Sequence, residues 1–161
     1  MKYWDTSALV PLFIAEASSA QLREVLQADG AMVSWWGTRI ECNSALFRIS
    51  RDRRLTTTEV AAARLRLANL TADWSEIQPD EMLRTTAERV VSVHSLRAAD
   101  ALQLAAALVA CDGSPTSLPF VCLDTRLREA ALREGFTVLP DTAPRATAVR
   151  ERRPRRSKAR A

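Results

Sequence analysis

Four acidic residues have the types and places to do chemistry together: Asp5 in "MKYWDTSALV", Glu41 in "GTRIECNSALFRIS", Asp100 in "SLRAADALQLAAALVAC" and Asp124 in "FVCLDTRLREAALREG". Asp5 and Asp124 each follow a short apolar run and precede helix-start residues, which places them at strand-to-helix junctions. Within 98–111 only Asp100 and Gln103 are polar. A helix apolar nearly all round is a buried helix, where an unpaired charge is costly. Glu41 has Gly37, Thr38, Ser44 and Ala45 one turn away, so no helix salt bridge accounts for it. Each acid alone has a plainer reading: a helix cap for Asp5 and Asp124, a solvent-facing side chain for Glu41, an ion pair with Arg97 for Asp100. Gathered at one edge, however, four carboxylates repel one another and stay partly protonated unless a cation neutralises them. That is the electrostatics of a divalent metal site, and an oxygen-only ligand set favours Mg²⁺ or Mn²⁺ over zinc. Such ions activate water against a phosphodiester and stabilise the leaving oxygen, with a carboxylate able to take up the proton. His94, the single histidine, has no second histidine to support it and is given no part in this chemistry.

The elements that must position these acids follow from period and punctuation. Strands are expected near 2–5, 31–36, 74–79, 120–124 and 136–140, and helices over 6–14, 18–28, 37–50, 56–70, 80–93, 95–111 and 125–135. Short apolar strands separated by helices mean βαβ units: an α/β fold with a central parallel sheet flanked by helices in three layers. Such sheets bind ligands at the carboxyl ends of their strands, the edge toward which Asp5 and Asp124 then point.

The chain has 161 residues and is 47% hydrophobic, which suits one compact domain with a real core. No apolar stretch is long enough to span a bilayer, and the start lacks the marks of a secretory signal, so a cytoplasmic protein with no membrane contact is expected. Cys42, Cys111 and Cys122 lie far apart in apolar sequence, which reads as three buried thiols in a reducing compartment. The net charge of +4 hides an asymmetry: eight basic residues and one acid from Arg145 onward make a tail of +7 on a body of −3. We therefore divide the chain into a folded domain over 1–140 and a basic tail over 141–161 whose composition predicts disorder. Such a tail adds affinity for nucleic acid phosphates or is simply solvated.

"DTSALV", Glu41 in the third helix, "LRAADALQLAAAL" and "VCLDTRLREAA" resemble, in order and spacing, the PIN-domain ribonucleases, specifically the VapC-type toxins of bacterial toxin-antitoxin pairs. The resemblance covers about residues 1–140 and implies a PIN-like fold and a Mg²⁺ or Mn²⁺ dependent endoribonuclease. Asp5, Glu41, Asp100 and Asp124 match the family's acidic, metal-binding cluster. Ser7 matches the hydroxyl position two residues after the first acid, where it helps hold the metal-water network or a phosphate. The partners implied are an RNA substrate such as tRNA, a small cognate antitoxin and a second copy of the chain. Ser95 stands where many relatives have glycine, and the absence of a further acid near Thr125 and Arg126 puts a second metal in doubt.

Several other residues have two readings. Arg97 contacts a substrate phosphate or pairs with Asp100. One of Trp35 and Trp36 belongs to the core, and the other packs under a helix or stacks on a base. The apolar stretches 9–14 and 60–70 are core, or in part face a partner. A non-catalytic RNA-binding module of the same fold is the alternative function. A haloacid-dehalogenase-type phosphatase would need an aspartate where Ser7 stands, and a receiver domain would need a pocket lysine, whereas the only lysines are Lys2 and Lys158.

Overall fold

The computed structural model describes residues 1–53 and 55–141. Strands β1 (Lys2–Trp4), β2 (Met32–Trp35), β3 (Ser75–Ile77), β4 (Phe120–Val121) and β5 (Val138–Leu139) form one all-parallel sheet in the order β3-β2-β1-β4-β5. Among the described residues seven α-helices surround it: α1 (Thr6–Phe13), α2 (Ser19–Ala28), α3 (Thr38–Arg53), α4 (Thr57–Thr71), α5 (Glu81–Val93), α6 (Ala98–Ala110) and α7 (Thr125–Arg133).

Because successive strand residues point to opposite faces, β1 feeds two cores. Tyr3 enters the core shared with α5, α6 and α7, where it stacks on Phe120 with ring centroids 5.2 Å apart. Trp4 enters the other core, against α1, α2, α3 and α4. Local signals set the helix starts. Thr56 and Glu59 form a reciprocal capping box on α4, and Asp80 and Asp124 cap α5 and α7 through their side chains.

The order of strands supplies the functional edge. From β1 the chain builds outward to β2 and β3, then crosses over through α5 and α6 to lay β4 on the other side of β1. The carboxyl ends of β1 and β4 are therefore neighbours at a switch point, with Tyr3 in register with Phe120 and the Asp5 amide donating to the Val121 carbonyl at 3.0 Å.

The α/β class and all twelve expected elements are present, and the differences lie at their ends. β4 stops at Val121 rather than 124, because the Leu123 and Asp124 amides turn to the Ser7 hydroxyl instead of extending the ladder with β1. β5 shrinks to two residues, and α6 starts at Ala98 rather than 95 because Arg97 is extended. The stretch 9–14 is ordinary core, with Leu9, Val10, Phe13 and Ile14 buried, and Ala63 and Leu67 are the buried residues of α4. All three cysteines are free and buried. Among the described residues no helix is long and apolar enough to cross a membrane. The basic tail beyond Asp141 lies outside the described residues.

Candidate active site

Asp5 follows β1 directly and caps α1: its Oδ2 accepts from the Ser7 amide at 2.9 Å and from the Ser7 hydroxyl. A cap on an exposed helix end needs no burial, yet Asp5 is only 5% exposed. Burial is the main cause that pushes its carboxyl up to about 6; the Ser7 bonds and the Cys122 thiol pull it down, and the charge of Glu41 pushes it up again. Asp5 is thus a cap and also a carboxylate held at a cost in a dry setting.

Glu41 stands in the first turn of α3 and does not face open solvent. Its Oε2 accepts from Thr6 Oγ1 at 2.5 Å and Gln103 Nε2 at 2.8 Å, and its Oε1 accepts from Trp35 Nε1 at 3.2 Å. Every one of these donors is neutral. Behind them lies a polar chain that sequence reasoning missed. Tyr3 donates to Gln103 Oε1 at 2.8 Å, which turns the amide nitrogen of Gln103 toward Glu41, Thr6 and Thr38. Ser34 Oγ in turn meets Thr38 Oγ1 at 2.7 Å. The signal available was Gln103 itself, the other polar residue of an apolar helix.

Asp100 lies one turn earlier on α6 and is half-buried. Desolvation raises its carboxyl, with Asp124 and Glu41 adding to the rise; the Arg97 amide and, more weakly, the Arg97 guanidinium oppose it. Among the described residues Arg97 and Asp100 form no salt bridge, so the expected close ion pair is replaced by a backbone contact. The Arg97 side chain is exposed at the start of α6. Asp124 is exposed and caps α7 by accepting from the Leu127 amide at 2.9 Å.

Ser7 ties the two strand ends together. Its hydroxyl donates to Asp5 and accepts from the Leu123 amide at 2.8 Å and the Asp124 amide at 3.2 Å. One donor and two acceptor positions are a hydroxyl's whole capacity, so Ser7 serves to position the loop that carries Asp124.

The four acids therefore share one edge and act on one another in sequence: Glu41 on Asp5, Glu41 on Asp100, and Asp124 on Asp100. Their donor chemistry, carboxylate oxygens without histidine or free thiolate, fits a hard divalent cation. As the side chains stand, no three of the described His, Cys, Asp and Glu residues are arranged to hold an ion. Asp5 and Glu41 are fixed by their donors, while Asp100 and Asp124 are the more open pair. His94 takes no part, being buried at the end of α5 with Nε2 2.7 Å from Glu134.

A parallel sheet with an acidic switch-point edge defines a class of α/β domains rather than one protein. The same fold occurs in a structure described as a toxin-antitoxin complex from Klebsiella pneumoniae, at a TM-score of 0.52 and 16% identity over 78% of this chain and 88% of that one. No protein-family model matches the chain. Ribonuclease VapC45 of Mycobacterium tuberculosis (strain CDC 1551 / Oshkosh) and Ribonuclease VapC49 of Mycobacterium tuberculosis (strain ATCC 25618 / H37Rv) are each 31% identical over 141 residues, covering 86% of this chain and 94% of theirs. The chain belongs to the VapC ribonuclease family.

Proposed function

We propose that this chain is a Mg²⁺ or Mn²⁺ dependent endoribonuclease and the toxin of a toxin-antitoxin pair. It cuts structured RNA such as tRNA, works as a homodimer and is held inactive by a small antitoxin. The relatives' names and the partner in the structural neighbour support the ribonuclease and the antitoxin. The observation that carries the site assignment is Asp5, a buried carboxylate pushed up to about 6 beside Glu41 with only neutral donors for company.

Asp5, Glu41, Asp100 and Asp124 would hold the cation. When bound, a divalent cation supplies neutralisation of the clustered acids, activation of water and stabilisation of the leaving oxygen. Asp5 is held toward the edge by Ser7, and Glu41 by Thr6, Gln103 and Trp35. Asp124 arrives on the loop that Ser7 pins. The exposed Arg97 guanidinium beside this edge is suited to a phosphate oxygen. Hydrolysis adds water across one P–O bond, leaving a phosphate on one fragment and a hydroxyl on the other.

The test is cleavage of total RNA by the purified chain with Mg²⁺ or Mn²⁺, with EDTA, and with folded Asp5→Asn and Asp100→Asn variants. Cutting that needs the metal and disappears in both variants is expected. Cutting that survives EDTA, or survives both substitutions, rejects the four-acid site.

A further inference from the structure

We propose that the cavity beside Glu41 receives one unstacked nucleobase of the RNA strand, held against the indole of Trp36; this rests on the ribonuclease reading of the adjacent acids. The cavity has a volume of about 570 Å³ and lies between the end of β2 and the paired helices α5 and α6, with walls from Trp35, Trp36, Leu83, Val91, Ala98 and Ala101. That size and apolar lining are those of a small-ligand site. Trp36 is 46% exposed and Val91 48%, so an aromatic surface and an aliphatic one both stand open to solvent here.

Two observations connect this cavity to the acids. Trp35 forms the wall between them, since it lines the cavity while its Nε1 donates to Glu41 Oε1 at 3.2 Å. On α6, Ala98 and Ala101 line the cavity while Asp100, between them in sequence, belongs to the acidic edge. A nucleotide with its phosphate at the carboxylates thus has this cavity within reach of its base.

The indole wall is fixed by the chain itself. A Cβ built at Gly37 would stand 2.0 Å from Trp35 Cζ2 and 2.5 Å from Cε2, so the ring lies where only glycine leaves room for it. Trp36 packs against that ring in a T-shaped arrangement, at a centroid distance of 6.3 Å and an interplanar angle of 64°, and with nearly half its surface exposed it leaves part of its indole for another partner. A nucleobase matches the site on both counts, being flat for the indole and carrying ring N–H or amino donors for the Asp80 and Glu88 carboxylates at the rim.

The experiment uses the full chain in EDTA, so that nothing is cut. Fluorescence anisotropy compares single-stranded RNA pentamers of A, C, G and U with a pentamer lacking bases. The base-bearing strands are expected to bind roughly tenfold or more tightly than the abasic one, the scale of losing one stacked base. Trp36→Ala should remove that difference and Trp36→Phe retain most of it. Equal binding of abasic and base-bearing strands overturns the proposal, as does base discrimination that survives Trp36→Ala. Sedimentation that finds two copies sealed over this face, parted by Trp36→Ala, overturns it too and assigns the face to an interface. The ribonuclease reading stands or falls separately, on metal-dependent cutting by the wild type and its loss in Asp5→Asn.

Discussion

Asp5 and Glu134 are both carboxylates at helix ends and both are largely withdrawn from water, yet their surroundings drive them in opposite directions. Glu134, at the end of α7, takes a two-pronged contact from Arg89 at 3.0 and 2.8 Å and faces His94 at 2.7 Å. The Arg89 bonds hold its carboxyl below the usual range, with His94 adding to the effect against burial. Asp5 has a hydroxyl, an amide and a thiol for neighbours, and a second carboxylate acting on it, so burial prevails and its carboxyl rises to about 6. The same scaffold therefore pairs an acid with a guanidinium where the acid only joins α5 to α7. At the switch-point edge Asp5 and Glu41 have only neutral donors, and on Asp100 burial and the neighbouring acids outweigh the Arg97 guanidinium.

Substitutions can break this contrast. Asp5→Asn should lower RNA cutting on the order of a thousandfold, the scale of removing one preorganised electrostatic group, while the variant stays folded. A variant that unfolds instead would make Asp5 a structural cap alone. Gln103→Leu removes the amide that joins Tyr3 to Glu41 and should cost about 10- to 100-fold in activity or metal affinity, as loss of a supporting hydrogen bond to a ligand does.

Stability against pH sharpens the contrast further. Asp5 has its ordinary value at 3.8 and its folded value at about 6, so in that window the folded chain binds a proton that the unfolded chain has released. Without metal, its contribution to stability falls as pH rises through the window, by on the order of 3 kcal/mol, and Asp5→Asn should flatten that slope in denaturant titrations. Glu134 has the opposite sign: its depressed value adds stability above its ordinary 4.5, which is lost as pH falls. The smallest effect expected is that of Glu134→Gln, a loss of about 1 kcal/mol in unfolding free energy with RNA cutting unchanged.

Much of the fold was legible because its signals are local. Asp80, Asp124 and the Thr56 and Glu59 pair mark helix starts within three or four residues, and helix period marked α4 and α6. Glu41 and Asp100 were legible as misfits, polar groups in helices that had no local use for them, whereas Asp5 and Asp124 also read as helix caps and stood out by their place at strand ends. What stayed hidden depends on distant partners. Gln103 meets Tyr3, Thr6 and Glu41 across separations of 100, 97 and 62 residues, and no periodicity reports such contacts. The end of β4 was misplaced for the same reason, since Ser7, more than a hundred residues earlier, takes the amides that a longer strand would have used. Arg97 misled in the other direction, because helix spacing suggested a salt bridge where its backbone amide serves instead.

The register of Tyr3 with Phe120 also bears on the order in which the chain is made. β1 is made before the other strands but gains its β4 neighbour only when nearly the whole domain has been synthesised, and Asp124 comes later still. Translation proceeds at about 5–20 residues per second, so the Asp5 segment waits several seconds before its last partner exists. A nascent or truncated chain carries the first acid without the last, and the edge is assembled only when the second half of the sheet closes on the first.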